Sequence, residues 1–121
     1  MIAYVTIGTN DLGRAGTFYD AVLGVMGAKR IFAGDRIIDW GTGVGPFIAV
    51  CKPYDGQTAS VGNGMMVALA AKDEAEVAAV HAAAIAAGGA DEGAPGSRGT
   101  FHAGYFRDLD GNKLAVFWRP R

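Results

Sequence analysis

The sequence predicts an α+β fold made of two tandem βαβββ modules. Their eight strands are expected to form a curved mixed sheet or cup, with a helix packed behind each half. The main observation is an internal repeat: sliding the sequence by 62 residues aligns two strand–helix segments, with Asp11 on Asp73 and Gly27 on Gly89. The second observation is a set of strand-like alternating segments after each helix. Together they predict the order βαβββ, linker, βαβββ.

Length and composition are consistent with one domain. The 121 residues suffice for a single hydrophobic core and are too few for two ordinary domains. Half of the residues are hydrophobic and 19% are charged, as in a folded globular protein. We therefore expect one domain over residues 1–121, with module one at about 1–54, a linker at about 55–63 and module two at about 64–121.

Each module begins with a strand and a helix. The first strands are predicted at residues 2–8 and 65–71 from their alternating pattern. Asp11 and Asp73 are expected to cap the helices that follow, because a carboxylate there accepts hydrogen bonds from free backbone N–H groups. Glycines are expected to end the helices. They are Gly24 and Gly27 in module one, and Gly88 and Gly89 in module two.

Three further strands are predicted in each module. They lie at about 28–33, 36–41 and 47–52, and at about 90–93, 101–107 and 113–118. Residues 93–99 are predicted to form a long flexible loop of the kind that borders binding sites. The segment from Asp108 to Asn112 is typical of a tight turn, so we interpret Asp108 and Asp110 as turn residues rather than an acid–base pair.

Charge and cysteine content argue against several classes of partner. The net charge is −1 and no charged blocks occur, so we expect neither a nucleic acid nor a membrane as partner. No apolar run approaches the roughly 20 residues that span a bilayer. Cys51 is the only cysteine, which rules out an internal disulfide. The first residues lack the features of a signal peptide, so we expect a cytoplasmic protein.

Two stretches of the sequence carry a family resemblance. One comprises Asp11-Leu12 and Phe18 to Gly24, and the other runs from Tyr105 to Leu114, with Leu109 where the family commonly has proline. They resemble the vicinal oxygen chelate superfamily, which includes glyoxalase I, extradiol dioxygenases, fosfomycin-resistance enzymes and bleomycin-resistance proteins. The resemblance covers essentially the whole chain and implies a single glyoxalase/bleomycin-resistance-type domain.

The resemblance also implies where a metal would lie. Many members hold a divalent cation on the floor of the cup, with ligands from the first and last strands of each module. The matching positions here are Tyr4, Ala49, Met66 and Ala115. This set contains no combination of ligands for zinc, nickel or manganese. We therefore predict no metal site of the family type and no cofactor. His81, in the second helix, is interpreted as a packing or surface residue.

Strand alternation predicts which side chains line the cup. The ligand-binding candidates are Tyr4, Thr6, Phe47, Cys51, Met66, Arg98, His102, Tyr105, Lys113 and Phe117. Arg98 is expected to hold a carboxylate or phosphate, and His102 is the candidate general acid or base. The alternative is that the strand residues only fill a closed barrel.

Three functions remain open at this level. The first is a metal-free protein that sequesters a small, partly apolar ligand in the cup, as the resemblance to bleomycin-resistance proteins implies. The second is a glyoxalase- or dioxygenase-like enzyme, a lyase or oxidoreductase, that uses Arg98, His102 and Tyr105 in place of the metal ligands. The third is a structural or regulatory module whose cup is filled. The resemblance and the apolar Phe117-Trp118 end favour a homodimer.

Overall fold

The two predicted modules are present in the structure, a computed structural model that describes all residues 1–121. Module one contains β1 (Tyr4–Gly8), α1 (Leu12–Gly24), β2 (Lys29–Ala33), β3 (Ile37–Gly41) and β4 (Phe47–Cys51). Module two contains β5 (Val67–Ala70), α2 (Glu74–Ala86), β6 (Ala90–Ser97), β7 (His102–Arg107) and β8 (Lys113–Trp118). The order is βαβββ twice, which confirms the predicted fold class.

The strands form two separate mixed sheets. Sheet one has the order β1-β4-β3-β2 and sheet two the order β5-β8-β7-β6. In each sheet the first and last strands of the module pair in parallel, and the other pairs are antiparallel. Thr6 pairs with Ala49 in sheet one, and Ala68 pairs with Ala115 in sheet two. The register therefore places Ala49 and Ala115 at equivalent points of the two modules.

Both helices begin at the predicted aspartates. The Asp11 carboxylate accepts a hydrogen bond from the Arg14 backbone N–H at 3.0 Å, and Asp73 accepts one from the Glu76 N–H at 2.8 Å. These bonds satisfy N–H groups that the helix itself leaves free. After α1, Gly27 adopts a φ of +80°, a conformation that glycine reaches without steric cost. The predicted caps are confirmed.

One hydrophobic core joins the two modules. It lies between the helices and one face of each sheet, and its 16 buried residues come from both modules. Phe18 of α1 lies 6.4 Å from Phe106 of β7, centroid to centroid, so α1 packs toward sheet two as well as sheet one. Trp40 of β3 and Tyr19 of α1 are also fully buried and in contact. The fold therefore depends on packing between the modules.

The turn between β7 and β8 also ties the modules together. The Tyr19 hydroxyl donates a 2.6 Å hydrogen bond to Asp108, and the Asn112 side chain donates to the same carboxylate oxygen. Thr9, just after β1, donates a 2.6 Å bond to Asp110. Burial, and then the nearby Asp108 carboxylate, raise the pKa of Tyr19 well above its usual value, so it remains a donor. The structural role of Asp108 and Asp110 is confirmed.

The predicted loop at residues 93–99 is largely wrong. β6 continues to Ser97, although its pairing with β7 shifts in register near Gly93 and Gly96. Glycine and Pro95 weaken the strand signal in the sequence. They are tolerated because β6 is an edge strand, so that alternate backbone N–H groups face away from the sheet and have no partner strand. The segment is thus an irregular strand that borders sheet two.

Candidate functional site

Each sheet has one face against the helices and one face turned away from them, which we call its open face. In sheet one, Ile7 and Val50 point into the core. The side chains that alternate with them therefore lie on the open face. These are the predicted residues Tyr4, Thr6, Phe47 and Cys51, together with Ala49 and Asp39.

Aromatic and aliphatic side chains dominate the open face of sheet one. The ring of Tyr4 stacks on Phe47, with centroids 4.9 Å apart and planes inclined by 12°. Tyr4 nevertheless remains 53% exposed. Phe32 and Ile31 of the edge strand β2 are about half exposed and extend this surface. The arrangement offers flat apolar contact area to a small molecule.

Asp39 lies on the same open face and did not emerge from the sequence. It pairs with Phe32 on one side and Ala49 on the other, so its immediate cross-strand neighbours are apolar. Its Oδ1 atom is buried and has no hydrogen-bond partner. Buried polar atoms without partners are uncommon in proteins, and the burial of this oxygen is unfavourable because no hydrogen bond replaces those that water would make. The direction of its side chain could have been predicted from the sequence, because Asp39 alternates with the buried Trp40 along β3.

The open face of sheet two carries positive charge. Tyr105, Lys113 and Phe117 lie there, because the residues that alternate with them, such as Phe106 and Leu114, are in the core. The Arg98 guanidinium carbon and the Lys113 ammonium nitrogen each lie 5.6 Å from the centroid of the Tyr105 ring. The structure thus brings the predicted residues Arg98, Tyr105 and Lys113 together.

An apolar cleft of about 470 Å³ separates the two sheets. Met66 is 44% exposed just before β5 and borders the cleft, opposite Phe47 and Val5 of sheet one. β1 and β5 are the facing edge strands, and no hydrogen-bonded pairing joins the two sheets. Two of the predicted ligand-binding residues, Phe47 and Met66, therefore meet at this cleft.

His102 lies apart from the other candidates. Alternation along β7 places it with Gly104 and Phe106 on the face toward α2. Its Nδ1 atom is 4.0 Å from a carboxylate oxygen of Glu74, at the start of α2. His102 therefore does not face the cup beside Arg98 and Tyr105, as the sequence predicted, because alternate residues of a strand point to opposite sides of the sheet.

The residues at the family's metal positions do not fit a metal. Tyr4, Ala49, Met66 and Ala115 supply one phenol and one thioether, and neither alanine has a donor atom. Ala49 is 0% exposed and Ala115 is 2% exposed, so neighbouring side chains cover both floor positions. No three His, Cys, Asp or Glu side chains come together as a metal-binding group.

Comparison with known families identifies the class. The model of the Glyoxalase/Bleomycin resistance protein/Dioxygenase superfamily matches residues 1–116. The chain belongs to this superfamily, in agreement with the resemblance of its sequence motifs. The comparison with curated proteins gave no match. Neither helix has the length and hydrophobicity that a bilayer crossing requires.

Solved structures show the same fold. A glyoxalase/bleomycin resistance protein from Albidiferax ferrireducens T118 is 36% identical, with a TM-score of 0.94 and 99% of each chain covered. A glyoxalase-related enzyme from Fulvimarina pelagi is 25% identical, with a TM-score of 0.79 over 99% of this chain and 88% of that one. A lactoylglutathione lyase from Agrobacterium tumefaciens is 19% identical, with a TM-score of 0.71 over 98% and 92%. This last likeness shows the fold alone.

Proposed function

We propose that the protein binds and sequesters a small, partly apolar molecule on the open faces of its sheets, without a metal. The observation that carries this proposal is the stacked pair of Tyr4 and Phe47 beside the apolar cleft. An exposed aromatic pair loses unfavourable contact with water when a flat apolar ligand covers it. The lack of ligands at the family's metal positions supports binding without a metal.

We also propose that two chains associate as a homodimer in the cytoplasm. The half-exposed side chains of Ile31 and Phe32, on the edge strand β2, leave an apolar surface that a second copy can cover beside the aromatic pair. The predicted contribution of Trp118 has little support, because this residue packs against the core. Cys51 is a free thiol, which is compatible with a reducing compartment. Light scattering in solution tests the dimer, and the mass of a single chain would contradict it.

A thermal-shift screen with aromatic small molecules tests the binding function. A ligand that binds only the folded protein raises the melting temperature by mass action. We expect Tyr4→Ala to abolish most of that rise. Tyr54→Ala is the matched control, since Tyr54 is 93% exposed and lies outside the open faces. Absence of any hit would favour the filled structural module, and an equal loss in both variants would contradict the assignment of Tyr4.

A metal-free enzyme is the second candidate, and Asp39 favours it. A carboxylate among apolar neighbours on the open face can accept a proton from a substrate whose binding brings it within hydrogen-bond distance of an Asp39 oxygen. The alternative based on Arg98, His102 and Tyr105 has weaker support, because His102 lies toward α2. The same screen separates the two candidates when each bound compound is recovered and analysed by mass spectrometry. Sequestration returns the compound unchanged, whereas catalysis converts it.

A further inference from the structure

We propose that Arg98 and Lys113, arranged around Tyr105, bind an acidic group of the ligand. This inference rests on the proposed binding function and adds the chemical class of the ligand: a flat molecule that carries a carboxylate or a phosphate. The two cations lie on the open face of sheet two, each 5.6 Å from the centre of the Tyr105 ring.

The guanidinium of Arg98 is held in place by the backbone of β6. It donates hydrogen bonds to the carbonyl of Ala94 at 2.7 Å and to that of Ser97 at 3.2 Å. Glycines leave the space that it occupies: a Cβ atom at Gly93 would lie 3.5 Å from one terminal nitrogen, and one at Gly96 would lie 3.1 Å from the other. The orientation of Arg98 is thus set before any ligand binds, which lowers the entropic cost of binding.

Arg98 retains donors for a ligand. A guanidinium has five N–H groups, and the two carbonyls use two of them. The remaining three suit the oxygens of a carboxylate or phosphate, which arginine binds in a forked geometry. No carboxylate of the protein lies within ion-pair distance of Arg98. By contrast, Arg107 on the same face is paired with Glu92 at 2.6 Å.

Lys113 adds a second positive charge to this face, although the carboxylate of Glu92, which is paired with Arg107, also attracts it. Its ammonium group makes no hydrogen bond or ion pair within the protein and lies beside the same tyrosine ring as Arg98. Both charges raise the positive potential over this part of the open face, which favours the binding of an anion there. Lys113 also borders a cleft of about 640 Å³, formed with Arg107 and the segment Val61 to Met66. Met66 lines both this cleft and the apolar cleft between the sheets, so the charged face and the proposed binding surface adjoin at this residue.

The test compares three probes that share one ring system. They are 2-naphthoate, 2-naphthyl phosphate and the neutral 2-naphthamide, and their binding is measured by calorimetry at low and at physiological salt. We expect one or both anions to bind about tenfold more tightly than the amide, with the advantage reduced by salt. Comparison of naphthoate with naphthyl phosphate shows which acidic group the site prefers, and a preference for either supports the proposal.

Variants assign the effect to the site. We expect Arg98→Gln to reduce the affinity for the anions to that for the amide, and Arg98→Lys to have an intermediate effect. Arg36→Gln is the matched control, because Arg36 also donates to a backbone carbonyl and lies 5.6 Å from a tyrosine ring, that of Tyr54. Melting temperatures of all variants verify that they are folded.

The outcomes separate this inference from the proposed function. Equal affinities for anions and amide, unchanged by Arg98→Gln, would refute the acidic-group site while the binding function stands. Equal losses in Arg98→Gln and Arg36→Gln would assign the effect to overall charge and also refute the site. Failure of all three probes to bind would count against the binding function itself, and the inference would fall with it.

Discussion

The open faces of the two modules have the same backbone and opposite chemistry. Asp39 pairs with Ala49 in sheet one, and Tyr105 pairs with Ala115 in sheet two, so Asp39 and Tyr105 occupy equivalent positions. The first position carries an unpartnered carboxylate oxygen among apolar neighbours. The second carries an aromatic ring with two cations around it. A duplicated scaffold has thus kept its register while its two open faces differ in charge.

The helix-facing sides of the sheets differ much less. Trp40 and Phe106 occupy equivalent positions there, and both are fully buried in the shared core. Core positions must satisfy packing, so large apolar side chains recur in both modules. Positions on the open faces are free of that requirement. The repeated sequence pattern therefore predicts the scaffold, whereas the positions at which the two modules differ indicate where a ligand or substrate binds.

The largest expected effect comes from breaking the link between the modules at Asp108. Asp108→Ala leaves the buried Tyr19 hydroxyl and the Asn112 side chain without their shared acceptor. We expect a loss of about 3 kcal/mol in the free energy of unfolding, measured by urea denaturation. Tyr19→Phe is the control and should cost about 1 kcal/mol, since Asn112 still donates to Asp108. Equal costs for the two variants would contradict the shared-acceptor network.

A smaller effect of opposite sign is expected at Asp39. Asp39→Leu replaces a carboxylate that has a buried, unpartnered oxygen with an apolar side chain, so we expect a gain of about 1 kcal/mol in the free energy of unfolding. A residue that lowers stability in the free protein is typical of a binding or catalytic site. Asp35→Leu is the control, in the turn before β3, and should give no gain. A loss of stability in Asp39→Leu would argue for a structural role instead.

The sequence predicted the scaffold well because the scaffold follows local rules. The alternation of apolar residues and the aspartates before each helix are visible in any single module, and the repeat provides a second copy of each signal. β6 was the exception. Gly93, Pro95 and Gly96 resemble a loop in composition, and only pairing with β7 keeps them extended.

The site was predicted in part. Arg98 and Lys113 do come close to Tyr105, but Arg98 lies in the connection between β6 and β7, Tyr105 on β7 and Lys113 on β8, so these distances depend on how the strands pair. His102 was considered with them because of its spacing in the chain, whereas strand alternation turns it toward α2. Asp39 was not predicted, because strand alternation indicates only the side of the sheet to which its side chain points and not whether its oxygens have partners. Its unpartnered oxygen is a property of the folded sheet.

The smallest expected effect concerns how each helix is tied to its edge strand, where the modules again differ in charge. In module one the acid is on the helix: Asp20 of α1 accepts hydrogen bonds from Arg30 of β2 and from Trp40, all at 2.9 Å. In module two the acid is on the strand, with Asp91 of β6 at 3.1 Å from His81 of α2. The hydrogen bonds from Arg30, and to a lesser extent that from Trp40, lower the pKa of Asp20.

The lowered pKa in the folded state means that the Asp20 carboxylate stabilises the protein at pH values above its unfolded pKa of about 3.9. This contribution is lost as the pH falls through the lower pKa of the folded state. Because the ion pair is half exposed, we expect Asp20→Asn to cost less than about 1 kcal/mol at pH 7. The difference from wild type should disappear in strong acid, where both side chains are neutral. Asp35→Asn, which breaks no ion pair, should match wild type at both pH values in urea denaturation. A cost for Asp20→Asn that is independent of pH would show that the carboxylate charge is not what ties α1 to β2.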